Sequence, residues 1–111
     1  TSLAGPSMAK EIFFTARRFT AGEALAMGLV NRVVPVDQLE GLVKEYTDMI
    51  KENAPLTIRA AKATVNEVLK DPDDRDLVAL QEMIKSCFDS ADFTEGRTAF
   101  MEKRKPNFTG K

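Results

Sequence analysis

The chain has 111 residues, 43% of them hydrophobic and 30% charged, which bounds it to one modest globular domain or a piece of one. Sixteen Lys and Arg against seventeen Asp and Glu give a formal net charge of -1, so the long-range field of a nonspecific nucleic-acid or membrane-surface binder is missing. No histidine is present and cysteine occurs once, at Cys87, which excludes Ser-His or Cys-His nucleophilic chemistry, an internal disulfide and a CxxC metal site within the chain.

In chain order, Gly5 and Pro6 break the start, and Met8, Ala9, Ile12 and Phe13 recur at the three-and-four spacing of a helical face, predicting a helix over about residues 6 to 15. Thr20 and Glu23 have the form of a capping box, in which the hydroxyl accepts the N3 amide and the carboxylate reaches back to the Thr20 amide. Ala24, Leu25 and Met27 make a brief helix that Gly28 ends in the left-handed conformation. Leu29 to Val34 is extended, because β-branched valines cluster there and Pro35 keeps Val34 out of the helical region. As a strand it has no partner in the chain, so it needs a neighbour from elsewhere or is an extended loop.

Asp37 and Glu40 repeat the capping pattern, and Leu39, Leu42, Val43, Tyr46, Met49 and Ile50 form the clearest amphipathic stripe of the chain. Pro55 suits the first turn of the next helix, with Ile58, Ala61, Val65 and Val68 on one side. The turn Asp71-Pro-Asp-Asp74 places carboxylates before a helix whose buried face is Leu77, Leu80, Ile84, Cys87 and Phe88. Asp92 and Glu95 make another capping box, and a last helix runs to about Lys105 before Pro106 stops it. The fold expected is mostly α, with about five to six helices and at most one short strand. The apolar runs are too short to span a membrane, and neither a leader nor a metal-ligand cluster is visible. Thr1 in place of an initiating methionine marks the chain as a possible piece of a longer protein.

At about 100° per residue, Phe93, Gly96, Phe100 and Lys103 share one narrow sector. Gly96 removes bulk in mid-helix, as the close approach of a backbone or flat ligand requires, and Phe100 and Lys103 then suit the ligand's flat part and its anion. The plainer alternative makes both phenylalanines core and leaves Lys103, Arg104 and Lys105 to complement the negative end of the helix; pattern alone favours it, because a basic last turn is common. Arg17 and Arg18 pair with acidic residues or bind an anion, and pairing is the simpler expectation. Glu11, Glu23 and Glu40 are not brought together by local spacing, so no catalytic residue is assigned. Cys87, on an apolar face, is expected to be an inert thiol.

GPSMAKEIFFTARRFTAGEALAMGLVNRVVP, followed at a distance by CFDSADFTEGRTAFMEKRKPNF, resembles the C-terminal part of the enoyl-CoA hydratase/isomerase (crotonase) superfamily. The resemblance implies a larger upstream spiral of β-β-α turns that holds the acyl-CoA thioester, with residues 1–35 continuing from it and residues 36–111 forming a helical, trimer-building region. It implies an oxyanion hole of two backbone amides for the thioester enolate, with one or two carboxylates moving protons, all upstream of Thr1. This chain alone is then expected to be inactive. Phe100 and Lys103 match the aromatic and the lysine that help hold the nucleotide end of CoA, and Ile84 stands where the family has a further aromatic. The parent is expected to be a cytoplasmic homo-oligomer, a trimer or dimer of trimers, acting on acyl-CoA without a tightly bound cofactor, nucleic acid or membrane. The competing expectation is an oligomerisation module with no activity of its own.

Overall fold

A computed structural model describes residues 1–111. It contains α1 (Gly5–Thr15), α2 (Ala21–Ala26), α3 (Leu39–Lys51), α4 (Pro55–Val68), α5 (Leu77–Phe88) and α6 (Ala91–Glu102), with 3-10 turns at Val36–Gln38 and Pro72–Asp74 and no strand. The mostly helical class expected from the sequence is the one found, and Leu29–Val34 is loop. No helix is long and apolar enough to cross a membrane. The chain forms two compact units, Thr1–Leu42 and Val43–Lys111.

In the first unit α1 ends where Ala16 turns left-handed, at φ 47°, and donates its N–H to the Ile12 carbonyl. The reversal brings Arg17 between two carboxylates, 3.0 Å from Glu11 and 2.9 Å from Glu23, with its guanidinium 3.7 Å above the Phe19 ring. Pairing is thus the fate of Arg17. The Thr20–Glu23 capping box forms as the sequence predicts: Glu23 N donates to the Thr20 hydroxyl at 3.2 Å, and Thr20 N donates to the Glu23 carboxylate at 2.8 Å. The Thr20 amide and the Arg17 guanidinium hold the Glu23 carboxyl down to about 2. Gly28, at φ 72°, supplies the left-handed stop after α2.

The capping box expected at Asp37 does not form. Pro35 starts a 3-10 turn with Gln38 N donating to its carbonyl at 2.9 Å, and the turn runs straight into α3 without a side-chain cap. In the second unit the stripe of α3 is on the surface, Val43, Tyr46, Met49 and Ile50 all remaining exposed. Pro55 opens α4 as expected, but the apolar side drawn from Ile58 to Val68 is not the buried one. Val65 and Val68 are 62% and 60% exposed, whereas Ala60 is buried and Ala63, Thr64 and Glu67 are half-buried. The rotation follows from the connection to α5: Asp76 N donates to the Glu67 carboxylate at 2.9 Å, and Arg75 donates to the Val68 and Lys70 carbonyls. Asp76, not the 71–74 turn, caps α5 by accepting the Ala79 amide at 2.9 Å. Of the expected α5 face only Leu80 is buried. α4 packs on α5, and α5 on α6.

The capping box expected at Asp92 and Glu95 is also replaced. Ser90 is the cap of α6, accepting the Phe93 amide at 3.1 Å while donating to the Cys87 carbonyl at 2.6 Å. This frees both carboxylates for the returning C-terminal segment. Asp92, 3% exposed, accepts the amides of Thr109 at 2.7 Å and Gly110 at 2.8 Å. Glu95 takes the Arg104 guanidinium in a two-pronged bond of 2.6 and 3.0 Å and also accepts the Asn107 amide at 2.8 Å. α6 stops at Glu102, three residues earlier than expected, because Lys103 adopts the left-handed conformation at φ 55°, ψ 38°. The segment can then fold back, and the Phe108 ring settles on Gly96, where an added Cβ would stand 3.5 Å from it. The thinning of α6 at Gly96 therefore meets a side chain of the same chain.

Asp92→Ala should lower stability by about 2 kcal/mol, since it removes the buried carboxylate that accepts two part-buried backbone hydrogen bonds, and a fall in the urea midpoint would measure it. Arg104 and the Asn107 amide hold the Glu95 carboxyl down to about 2, like Glu23. Both carboxyls bind protons more weakly folded than unfolded, so their contribution is complete above the unfolded value of about 4.3 and vanishes as pH falls through about 2. A thermal midpoint followed from pH 6 to pH 2 should decline across that window, and Glu95→Gln should flatten part of the decline.

Candidate functional site

An open groove of about 650 Å³ lies within the second unit. α4 gives it Leu56, Ala60 and Thr64, α5 gives Ile84, Cys87 and Phe88, α6 gives Phe93, Gly96, Arg97 and Phe100, and the returned segment closes one side with Phe108. The Phe88 and Phe93 rings meet edge to face with centroids 5.1 Å apart, and the Arg97 guanidinium is 6.0 Å from the Phe93 ring. The surface is almost wholly apolar.

Several of its polar groups are already engaged. Ser90 caps α6, Asp92 holds Thr109 and Gly110, and the Cys87 thiol contacts the Met83 carbonyl at 3.3 Å. The inert-thiol expectation thus has a half-buried sulfur with a local partner. Elsewhere, Glu11 and Glu23 share Arg17. The groove can receive a flat or aliphatic body, but no carboxylate on its wall is free to give or take a proton.

Phe93, Gly96 and Phe100 line the groove together, as their common helical sector requires, and Phe100 is 82% exposed. Lys103 does not line it, because α6 ends one residue before and the left-handed turn takes the side chain out of the sector. Among the three consecutive cations, Arg104 pairs with Glu95 and Glu102, and Lys105 pairs with Glu52 at 2.7 Å. These carboxylates raise the proton affinity of both groups. Lys103 is exposed and takes part in none of the ion pairs. A basic last turn complementing the helix end would use all three alike; here two are neutralised and one is left outward.

Ile84, at the position where an aromatic was expected from the resemblance, is on the groove wall at 43% exposure and offers aliphatic contact only. Leu56, Arg97 and Phe108 also line it and were not singled out from the sequence. Phe108 follows Pro106 beyond the last periodic residue, and nothing local to it marks a return onto Gly96.

The model of the enoyl-CoA hydratase/isomerase family matches residues 1–111. A crotonyl-CoA hydratase of Syntrophomonas wolfei is 40% identical over 109 residues, covering 98% of this chain and 42% of that protein. A methylmalonyl-CoA decarboxylase of Escherichia coli is 41% identical over 110 residues, covering 96% of this chain and 42% of its own length. The crystal structure of an enoyl-CoA hydratase from Bacillus anthracis superposes with a TM-score of 0.80 at 36% identity, over 99% of this chain and 43% of that one. The chain thus spans less than half the length of the relatives it matches. With the match running the whole length of the chain and the helices superposing on those of a solved relative, the chain belongs to the enoyl-CoA hydratase/isomerase family and corresponds to its helical C-terminal region.

Proposed function

We propose that this chain is the helical part of a larger enzyme that adds water to, or shifts, the double bond of an acyl-CoA through an enolate held in an oxyanion hole. The CoA thioester is what the named relatives have in common, since one is a hydratase and another a decarboxylase. The observation that carries the assignment of roles is an apolar groove whose one carboxylate is already engaged, with Arg97 on its wall and Lys103 just past the end of α6, neither of them in an ion pair. Such a surface binds and orients; it does not move protons. The oxyanion-hole amides and the acid-base carboxylates belong to the remainder of the enzyme.

Within this chain Phe100 offers an exposed ring for a flat group, and Lys103 offers an ammonium for a phosphate, so the two together hold the nucleotide end of CoA. The parent works as a homo-oligomer in the cytoplasm, with no tightly bound cofactor. A second reading has support of its own: taken by itself, the polypeptide is an association module. The exposed Val43, Tyr46, Met49 and Ile50 along α3 form an apolar face of the kind that subunit contacts cover.

Two measurements test these roles. In the full-length enzyme, Lys103→Ala should raise KM for the CoA ester about tenfold, the loss of one charge-assisted contact, and leave kcat nearly unchanged. An unaltered KM removes Lys103 from the site. The 111-residue chain by itself should fail to hydrate crotonyl-CoA while scattering light as a concentration-dependent oligomer. Robust turnover would place the chemistry inside these helices, and a monomer at every concentration would remove the association module.

A further inference from the structure

The turn that presents Lys103 is built around one carboxylate. Lys103 is a non-glycine residue at φ 55°, a conformation that L side chains avoid because Cβ crowds the following carbonyl. It is the first residue past α6, its N–H donating to the Phe100 carbonyl at 3.2 Å, and Arg104 N donates to the Ala99 carbonyl at 3.0 Å. Those two bonds form a common helix ending, in which glycine is the usual occupant of the left-handed position. A third, longer-range tie is less common. Glu95, nine residues before Arg104, grips that residue's guanidinium with both oxygens and takes the Asn107 amide on one of them. The backbone on the far side of Lys103 is thereby tied to the middle of α6. The two cations that follow Lys103 are paired, Arg104 in this clamp and Lys105 with Glu52.

A lysine kept in a left-handed turn costs stability relative to glycine, and such outliers persist where the surroundings over-determine them. We infer that Glu95, through its clamp on Arg104 and the Asn107 amide, is a positioning residue that holds Lys103 in its left-handed turn and so aims the Lys103 ammonium at the anionic end of the CoA ester. The inference rests on the nucleotide-binding role proposed above for Lys103. It adds that the acidic residue of the EG pair acts on ligand affinity without touching the ligand.

The test uses the full-length enzyme with free coenzyme A as the calorimetric probe and two substrates, a CoA ester and the corresponding pantetheine thioester, which lacks the nucleotide. Glu95→Gln should weaken coenzyme A binding roughly fivefold. It should also raise KM for the CoA ester with kcat unchanged, leave both constants for the pantetheine thioester unchanged, and add nothing in a Lys103→Ala background. Equal losses on both substrates, no loss, or a full loss persisting beside Lys103→Ala would each overturn the positioning role. If Lys103→Ala itself leaves coenzyme A affinity unchanged, the underlying assignment of Lys103 fails, and that single variant identifies the failure. Lys103→Gly keeps the answer accessible should Glu95→Gln not fold: it should raise the unfolding midpoint while weakening coenzyme A. A midpoint that stays or falls would sink the idea that the lysine is held there against its preference.

Discussion

Two carboxylates on the first turns of α6 hold the end of the chain, and the geometry of the candidate site descends from them. Asp92 reaches the amides of Thr109 and Gly110, and Glu95 takes Arg104 and the Asn107 amide, so the segment after the helix lies back along it. Each bond joins a formal charge to a donor, the stronger class of hydrogen bond, and Asp92 makes its bonds almost out of contact with water. The groove owes one wall to this return, which sets Phe108 over Gly96. Without it, α6 would offer a row of phenylalanines with no wall on that side.

The rest of the chain leaves apolar surface open. Buried apolar residues are few and mostly small, namely Ala9, Ala60, Leu80 and Ala99, while Phe13, Phe14, Val36, Leu69, Phe100 and Met101 are all exposed by more than two thirds. Beside this small core, polar clamps fix the helix ends: Arg17 between Glu11 and Glu23, Glu67 to Asp76, and Glu95 to Arg104. Exposed pairs of this kind contribute little individually. Their value here is geometric, since each fixes the angle at which one helix gives way to the next segment. The exposed faces belong to a chain that spans less than half the length of the relatives it matches.

The sequence made legible several features set by neighbours close along the chain. The Thr20–Glu23 box, the Pro55 start and the left-handed Gly28 all follow from local spacing, and all are found. Asp92 and Glu95 show the limit of the same logic. An acidic residue followed three positions later by glutamate looks like a cap, yet Ser90 takes that role, and the carboxylates find partners nine to eighteen residues away. Spacing along one helix carries no trace of a segment folding back onto it. The sector containing Phe93, Gly96, Phe100 and Lys103 failed at its last member for a related reason, because the helix ended before Lys103 and no glycine announced the stop. On α4 the apolar pattern pointed to Val65 and Val68, but Glu67 and the small residues beside it decided which side meets α5. The family itself was visible in the two motif blocks, whose conspicuous residues include Glu23, Glu95 and Arg104.

The stretch from Lys103 to Gly110 has no regular secondary structure, yet it behaves as a strap of fixed length. Its buckles lie at Arg104, Asn107, Thr109 and Gly110, and the aromatic stud at Phe108 sits between them. Adding or deleting a single residue there would carry every later fastening out of reach of its carboxylate and lift Phe108 from Gly96. Irregular segments are ordinarily where a protein tolerates changes in length; here a one-residue slip would cost more than most side-chain replacements on the helices beside it.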